Sequence, residues 1–366
     1  MAYDAYEVWL TTDYGKRIAI LTTFREIQYS IIANDVGQLA ISLPSTFDTS
    51  LLQKDYTIQI FRAPLGSSKL SLQRIYVVRY WRYERQSGAL GIIVQGEDTN
   101  CILDRRVIAA YSGTTLAAKL DYTDDMMREL VNENIVAALD SDRDISFVTV
   151  APELTDGPIL QVRMSYKNLL SVLKELGEAS RAVGTECFFD MHANALSSSF
   201  TCEFRTKTGQ PGRDLTNQGV LFSEEMGNLE DAVLEFDYRK EANVVYALGQ
   251  GSGVSQNIQE VEDTDRSKRS RYGRIEAAIS AGSQQEDDEV QAIANTALDL
   301  GRPALRFGGR IKDTKGARYG IDWAFGDRVK TRFLDKEFDA IIRAVNVRVG
   351  QDGKEEIDAR VEWESQ

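Results

Sequence analysis

The sequence has 366 residues, with 43 basic and 56 acidic side chains, and its formal net charge is −13 at pH 7. This length suggests two or three domains, and an apolar fraction of 43% with 27% charged residues is typical of a folded chain and too apolar for a disordered one. The negative charge argues against a protein whose main task is to grip nucleic-acid phosphates, because that task needs a basic face.

The first 110 residues are predicted to be β-structure. Apolar and polar side chains alternate there with a period of two, the pattern of half-buried strands. The alternating segments are 6–10, 39–43 and 56–60. A long aromatic strand is predicted from Ile75 to Tyr83, followed by a turn at Gln86-Ser87-Gly88 and a returning hairpin strand at 92–94.

The pattern changes after residue 111, where helical spacing begins. Thr123 is predicted to cap a helix whose first turn carries two acids. A second helix with a leucine stripe is predicted between a Ser165 cap and a stop at Gly184. The segments 187–189 and 200–204 then form a predicted hairpin, so this middle region is expected to mix helices and strands.

The C-terminal part is predicted to return to β-structure with one helix. Strands are predicted at 233–238 and 244–248. The segment 249–273 is polar, glycine-containing and charged, which favours a long mobile loop. Ser283 and Glu286 form a capping box that opens a helix at about 284–300, and the last 45 residues are again β-like.

The most informative pattern is an internal repeat. The segment Asp55–Arg62 matches Asp327–Leu334 in style, and Ile75–Arg79 parallels Asp339–Arg343. In both copies a glycine turn follows, at 86–88 and 351–353, and the last strand ends in acids. The shared order favours a duplicated β-module, one near each end of the chain. The alternative is that two unrelated β-meanders share alternation and glycine turns.

Motifs for cofactor or metal binding are weak. The glycines of 249–253 follow an apolar strand, but their spacing is wrong for a dinucleotide site and no helix follows. Asp140, Asp142 and Asp144 have the first spacing of a calcium loop, yet Ile145 stands where glycine is needed and Ala151 where a bidentate glutamate is needed. No cofactor and no metal ligand is therefore predicted.

The sequence also shows no clear arrangement of catalytic residues. The three cysteines Cys101, Cys187 and Cys202 are widely spaced, which argues against a disulfide framework or a zinc site. His192 is the single histidine of the sequence and lies near a turn. No G-x-S-x-G serine is present, and the carboxylates are too many to single out a pair. No catalytic residue is predicted.

The strand-and-turn motifs of this sequence resemble those of siphophage tail-hub proteins. The resemblance begins at Tyr6–Leu10 and continues through Asn34–Gly37, which leads to Leu43-Pro44. It recurs at Ala242–Gly249 and ends with Gly326–Val329 and the segment 339–345. It covers most of the chain, although the middle matches only loosely.

The resemblance implies a fold and a domain organisation. The fold class is α+β and mainly β, with two tube-like β-barrel domains and an inserted α/β middle region. The first barrel is expected at 1–111, completed by part of 205–238. The inserted domain is expected at 112–232, and the second barrel, with the helix and the mobile loop, at 233–366.

The resemblance also implies a function and partners. Such a hub is a homotrimer whose six tube-like domains form a pseudo-sixfold ring in the virion, at the phage tail tip. It closes the tail tube, contacts the distal tail or tail tube protein ring, anchors a tail fibre or spike, and lets the tape measure protein and DNA pass without specific binding. The protein is expected to be made in the cytoplasm of the host bacterium. An acidic chain suits a channel that repels DNA phosphates, and no stretch approaches the roughly 20 apolar residues of a membrane span.

Contacts between subunits are expected on the aromatic strand and its counterpart in the second repeat. Aromatic side chains and arginines are enriched at the cores of interfaces. The predicted interface residues are Tyr76, Tyr80, Trp81, Tyr83, Ile341 and Arg343. The alternative is that these aromatics form the buried face of a strand.

Two other functions stay open at the level of the sequence. One is a tail-associated cell-wall hydrolase or peptidase, which is expected to carry a metal or nucleophile constellation in a C-terminal extension. The other is a carbohydrate- or receptor-binding module, with the middle region as its binding part.

Overall fold

The computed structural model describes residues 6–64, 67, 69–86, 89–109, 117–164, 166–196, 199–282 and 286–364. These residues are mainly β-structure, with helices between the strands, as predicted. The strands are β1 (Tyr6–Thr11), β2 (Arg17–Ile20), β3 (Glu26–Ile32), β4 (Gln38–Pro44), β5 (Thr57–Arg62), β6 (Ser71–Gln86), β7 (Ala89–Asp98), β8 (Ala117–Tyr122), β9 (Val148–Val150), β10 (Ile159–Met164), β11 (Cys187–Leu196), β12 (Ser199–Thr208), β13 (Leu221–Ser223), β14 (Leu229–Asp237), β15 (Val244–Leu248), β16 (Ile258–Glu262), β17 (Glu276–Ser280), β18 (Ala304–Lys312), β19 (Arg328–Phe333), β20 (Lys336–Gly350) and β21 (Glu355–Glu364).

The described residues form five α-helices. They are α1 (Cys101–Asp104), α2 (Thr123–Val131), α3 (Leu169–Ala182), α4 (Thr264–Arg269) and α5 (Asp287–Leu300). One π-helical turn, Asn132–Val136, extends α2. In the described ranges, no helix is both long enough and apolar enough to cross a membrane.

Helix ends differ from the prediction in detail. Thr123 is not the cap of α2 but its first residue, because its hydroxyl donates a hydrogen bond to the carbonyl of Pro158, 2.6 Å away. The side chain of Asn168 caps α3 by accepting from the N–H of Ser171, whereas the predicted cap Ser165 lies outside the described residues. The predicted stop of α3 is confirmed, since Gly184 has a φ of +101°.

The capping box predicted before α5 lies partly outside the described residues, because Ser283 is one of its two members. Glu286 itself occupies the N-cap position and makes no capping bond through its side chain, and the acids of the first turn follow it. Ser283, together with Ser87 and Gly88 of the predicted turn and residues 110–116, lies outside the described residues. The helix itself is confirmed at Asp287–Leu300, within the predicted 284–300.

A 13-stranded sheet contains the same strand order twice. The order β3-β4-β7-β6-β5-β1 recurs as β14-β18-β21-β20-β19-β13. The first of these six-strand sets is called here the N-terminal repeat, and the second the C-terminal repeat. The sets differ at their ends, since β1 pairs antiparallel with β5 while β13 pairs parallel with β19. The duplicated strand order predicted from the sequence is therefore confirmed.

A β-bulge lies at the same place in both repeats. The register between β6 and β7 shifts between Val78 and Tyr80, so Arg79 is the extra residue. The register between β20 and β21 shifts between Ile342 and Ala344, so Arg343 is the extra residue. Because a bulge increases local twist and bends a strand, both long strands divide into two halves at an arginine.

For two strands of the repeat, the alignment made from the sequence differs by one residue from the alignment that the strand pairing gives. With Arg79 equivalent to Arg343, Thr57 is equivalent to Arg328 and Gly96 to Val361. The alignment made from the sequence instead placed Asp55 opposite Asp327 and matched the acids at the end of the last strand in each copy. A shift of one residue places every side chain on the opposite face of the strand, so buried Ile58 corresponds to buried Val329 and not to Lys330.

The two repeats join into one sheet around a shared core. The second half of β20 pairs antiparallel with β3, with Val345 opposite Ile31 and Val347 opposite Tyr29. These four side chains belong to the apolar core that both repeats share. No strand pair in the described ranges closes either repeat into a separate barrel. The boundaries at residues 111 and 232 stay a prediction.

The middle region has its own apolar core. Helices α2 and α3 pack with the three-stranded sheet β11-β12-β9, and Leu130, Leu173 and Phe204 are fully buried there. The predicted hairpin is confirmed by the antiparallel pairing of β11 with β12. The part of the chain that connects β14 to β18 forms a separate small sheet, β16-β15-β17, which packs against α5.

The prediction of one long loop at 249–273 is wrong, because this segment contains β16 and α4. Strand β16 pairs antiparallel with β15. The side chain of Asp263 caps α4 by accepting from the N–H of Arg266, 3.0 Å away. Arg274 forms ion pairs with Glu260 at 2.7 Å and with Glu262 at 2.5 Å. Acids and bases that look like a solvated run in the sequence are thus neighbours across a folded sheet.

Candidate functional site

Cysteine and histidine side chains, which can serve as nucleophiles or metal ligands, are few in this sequence. No cluster of three or more metal-ligating side chains occurs among the residues with described positions. Cys101 and Cys187 are buried, and burial raises the pKa of their thiols to about 12 and about 11. Such thiols stay protonated at neutral pH and are poor nucleophiles. The only histidine, His192, is exposed on β11, and desolvation of its ring lowers its pKa.

The aspartates with calcium-like spacing serve the backbone around them. Asp140 accepts from the N–H of Asp142 at 3.2 Å, and Asp144 accepts from the N–H of Ala138 at 2.8 Å. These bonds cap a short turn, so the spacing of the acids is explained by local structure.

The first half of β6 is buried in the core. Tyr76 is fully buried, and its hydroxyl donates a hydrogen bond to the carbonyl of Ser30 at 2.9 Å. Its ring lies 6.3 Å from the ring of Tyr29, and burial raises its pKa well above the ordinary tyrosine value. The side chain of Tyr76 thus holds β6 against β3 inside the N-terminal repeat.

The second half of β6 leaves the core after the bulge at Arg79. Strand β5 pairs with β6 only as far as Val77, and the last backbone bonds across that edge involve Val78. Beyond it, Trp81 is half-buried against the core, while Tyr80 and Tyr83 are 46% and 56% exposed. Of the predicted interface residues on β6, these three aromatic side chains are the ones that reach the surface.

The counterpart residues on β20 are engaged inside the chain. Ile341 and Arg343 are both buried. The guanidinium of Arg343 donates to Glu186 of the middle region, with Nη1 to Oε1 at 2.7 Å, and its Nε lies 2.9 Å from Glu362. Three strands separate β20 from β6 in the sheet, so the chain does not bring the two sets of predicted residues together. The interface role of all six residues stays a prediction.

The strand predicted at 233–238 is confirmed as β14, but the sequence analysis did not predict that it is an acidic strand at an edge of the sheet. Strand β14 ends the sheet order and pairs with β18 on one side. Its acidic residues are Glu230, Asp231, Glu235 and Asp237. Val233 is 62% exposed and Phe236 is also exposed on this strand. A run of alternating acids and exposed apolar residues was visible in the sequence, but only the sheet order shows that it lies at an edge.

Two of the acids of β14, Glu230 and Asp237, are held in their charged form. Glu230 accepts from Lys312, which is the main cause of the lowered pKa of its carboxyl group, and it also pairs with Arg310 at 2.9 Å. Asp237 accepts from the guanidinium and N–H of Arg239, and these bonds lower its pKa strongly. Glu230 and Asp237 are therefore charged at neutral pH, and each is paired with bases of the same chain.

Buried ion pairs fix the repeats to each other and to the middle region. Arg62 of β5 donates to Glu355 of β21 at 2.8 and 3.0 Å. Arg74 of β6 donates to Asp98 at 3.1 Å and to Asp190 of β11 at 2.9 Å. Burial raises the pKa of Asp98 to about 6 although Arg74 opposes this shift. The position of β6 is thus set from both sides by charged contacts.

Most of the chain matches a known protein family. A family model described as siphovirus ReqiPepy6 Gp37-like protein matches residues 6–361. No curated protein sequence matches significantly.

Three solved structures that share the fold are tail proteins. The 43 kDa tail protein of prophage MuSo2 from Shewanella oneidensis has a TM-score of 0.54 and 12% identity, with 98% of each chain covered. The tail protein from Neisseria meningitidis MC58 has a TM-score of 0.51 and 11% identity, with 98% of this chain and 97% of that chain covered. The prophage tail protein gp18 from Listeria monocytogenes EGD-e has a TM-score of 0.50 and 12% identity, covering 98% and 94%.

Proposed function

The chain belongs to the siphovirus ReqiPepy6 Gp37-like protein family, and from this premise we propose that it is the structural hub of a siphophage tail tip or baseplate. A structural role in the phage tail follows from the family and agrees with the tail proteins that share the fold. The hub is a homotrimer, it closes the tail tube in the virion, and it opens when the genome leaves.

One observation carries this proposal, the six-strand order that occurs twice within one continuous sheet. Two equivalent repeats per chain give six repeats in a trimer. A closed ring of three chains then presents pseudo-sixfold symmetry to a sixfold tail tube above it, and cyclic closure is the usual way in which identical subunits satisfy their contacts. Such a ring needs contacts between the two repeats of one chain and contacts between neighbouring chains. The shared sheet within the chain supplies the first kind.

The partners follow from this position in the tail. The hub contacts the distal tail or tail tube ring on one side and a fibre or spike on the other, and the tape measure protein and DNA pass through its channel. The net charge of −13 supports passage without binding, because an acidic lining repels phosphates. The family and the solved tail proteins favour a structural rather than an enzymatic role.

Measurement of mass and shape tests the proposal. Light scattering or sedimentation of the purified protein should give a particle of about 123 kDa, three times 41.0 kDa, and negative-stain images should show a ring with a central hole. The trimer should bind the sixfold ring of its tail tube protein. A monomer that stays a monomer at high concentration and together with the tail tube protein would overturn the proposal. Release of peptidoglycan fragments by that monomer would point to a cell-wall hydrolase.

A further inference from the structure

The middle region meets the N-terminal repeat along strand β11, and amide side chains of the repeat bind the backbone of that strand. Asn34 accepts from the N–H of Phe189 at 2.8 Å and donates to the carbonyl of Cys187 at 3.1 Å. The N–H of Met191 donates to the side-chain oxygen of Asn100 at 2.8 Å. Amide groups do not titrate near neutral pH, so these contacts do not depend on pH. The residues of this contact, 34, 74, 98–100 and 187–191, are called here the joint.

The joint also contains a charged cluster of three residues, Arg74, Asp98 and Asp190. Arg74 of β6 donates through both Nη atoms to Asp190 of β11, with Nη1 at 2.9 Å from Oδ2. Its Nε donates to Oδ2 of Asp98, at the end of β7, over 3.1 Å. Two carboxylates thus share one guanidinium, so the cluster carries one excess negative charge when both carboxylates are ionised.

The two carboxylates differ in their access to water. The side chain of Asp190 is 34% exposed, whereas that of Asp98 is 0% exposed. The surroundings of Asp98 are also tightly packed, since a Cβ added to Gly37 would lie 2.8 Å from its Oδ2. Water stabilises the charge of Asp190 but not that of Asp98, and burial disfavours the ionised form of a carboxyl group. Of the two carboxylates, Asp98 is therefore the one that takes up a proton first.

Titratable side chains from several elements lie around the charged cluster. They are Tyr76 of β6, Cys101 of α1, His192 of β11 and Tyr319, which lies between β18 and β19. Burial raises the pKa of Cys101 and of Tyr319 to about 12 and that of Tyr76 well above the ordinary tyrosine value, so these groups stay neutral. His192 is exposed, and desolvation of its ring lowers its pKa, so it is a second group that can titrate near neutral pH. Two partly exposed ion pairs are also close, Glu97–Arg105 and Asp35–Lys174.

We propose that the charged cluster is a proton-sensitive contact, which holds the middle region more firmly to the N-terminal repeat when Asp98 carries a proton. With Asp98 neutral, the guanidinium of Arg74 pairs with Asp190 alone, and the cluster has no net charge. With Asp98 ionised, a second and fully buried carboxylate competes for the same guanidinium, and the pair between β6 and β11 weakens. The joint therefore tightens as the pH falls and loosens as it rises. This contact lies within one chain and does not depend on the number of chains in the particle.

The burial of Asp98 sets the pH range of this effect. Burial raises its pKa from 3.8 to about 6, and Asp190 adds to the shift, while Arg74 and the backbone N–H groups of Gly37 and Asn100 oppose it. Opening of the joint exposes Asp98 to water and returns its pKa to 3.8. The extra stability of the closed joint is therefore complete below pH 3.8 and is lost as the pH rises through 6. Between pH 5 and pH 7.5 the equilibrium constant for opening should rise about tenfold.

Backbone hydrogen exchange of the full chain measures this opening. Rates are corrected for the intrinsic exchange rate at each pH and expressed as protection factors. The amides of 187–191 in the wild type should be protected about tenfold more at pH 5 than at pH 7.5. The amides of β15 are the internal reference, because this strand belongs to the separate core of the small sheet. Their protection should be the same at both pH values.

Four variants separate the proton on Asp98 from other causes. Asp98→Asn stays neutral at every pH, so its joint should keep at pH 7.5 the protection that the wild type has at pH 5. Asp190→Asn removes the second carboxylate and should lower the tenfold ratio, and it decides the question if Asp98→Asn does not fold. Asn34→Ala removes an uncharged contact, so it should reduce protection by the same factor at both pH values. His192→Gln should leave the ratio of the wild type unchanged.

Each other outcome overturns the proposal. Equal protection of 187–191 at both pH values in the wild type shows that the joint does not respond to protons. A tenfold ratio that persists in Asp98→Asn, or in Asp190→Asn, shows that the charged cluster is not its source. Loss of the ratio in His192→Gln assigns the proton to His192 instead. The same ratio in β15 as in 187–191 shows that the whole chain responds to pH and not the joint.

Discussion

The two bulge arginines allow a matched test of how burial sets the strength of an ion pair. Arg343 is buried and bonds Glu186, which is also buried, whereas Arg79 is 42% exposed and pairs with the half-exposed Asp55. The two residues occupy equivalent positions in the two repeats. The substitutions Arg343→Met and Arg79→Met therefore remove the same chemical group from the same backbone geometry.

The expected costs differ several-fold. Removal of Arg343 leaves the carboxylate of Glu186 buried without its partner, and breaking a buried pair in this way costs about 3–5 kcal/mol of unfolding free energy. Removal of Arg79 breaks an exposed pair, which is worth about 0–1 kcal/mol. The double variant R343M/E186M should recover most of the loss, because two apolar side chains replace the pair and leave no uncompensated charge.

Urea unfolding followed by tryptophan fluorescence measures these differences. With a slope of about 3 kcal/mol per molar urea, R343M should lower the midpoint by about 1 M or more, and R79M by less than about 0.3 M. Added salt should weaken the effect of Arg79 more than that of Arg343, because exposed pairs are screened. Equal losses for the two arginines, or a double variant less stable than R343M, would refute the reasoning.

Three further predictions concern stability. Gly212→Ala should lower the free energy of unfolding by about 1–3 kcal/mol, because a Cβ there would lie 2.4 Å from the backbone carbon of Gly326. Gly308→Ala is the control and should change the urea midpoint little, because the nearest atom to its Cβ would be 3.8 Å away. Equal effects of the two substitutions would contradict this. Leu173→Ala in the core of the middle region should cost about 2–5 kcal/mol, while Leu139→Ala, at an exposed site, should stay within about 0.5 kcal/mol in the same assay. Burial raises the pKa of Asp98 from 3.8 to about 6, so the stability that its protonated form contributes is present below pH 4 and is lost as the pH rises through 6. The stability of Asp98→Asn relative to the wild type should therefore improve by up to about 3 kcal/mol between pH 4 and pH 7, and a difference that does not change with pH would rule out the shift.

Elements with a simple periodicity were predictable from the sequence. Strand β4 alternates buried and exposed positions, with Leu39, Ile41 and Leu43 inside, because one face of it packs on the core. Helix α5 was found from its apolar spacing. The ends of helices were less predictable, because Thr123 uses its hydroxyl for a carbonyl 35 residues away and not for its own helix.

The folded segment at 249–273 shows a limit of charge patterns. Its acids and bases were read as a solvated run, but Arg274 bridges Glu260 and Glu262, and Asp263 caps α4. Whether a charged run is a loop or a sheet depends on what lies across from it. That information belongs to strand pairing and is absent from the local sequence.

The amino-acid sequence by itself determined the class of the fold, the family resemblance and the presence of two related β-modules. These follow from local alternation, turn residues and repeated motifs, which the chain carries wherever it folds. Only the tertiary structure decided the register of the repeat, the joining of both modules into one sheet and the place of β14 at the end of its strand order. Strand neighbours far apart in sequence set these features, and the local sequence does not show which strands become neighbours.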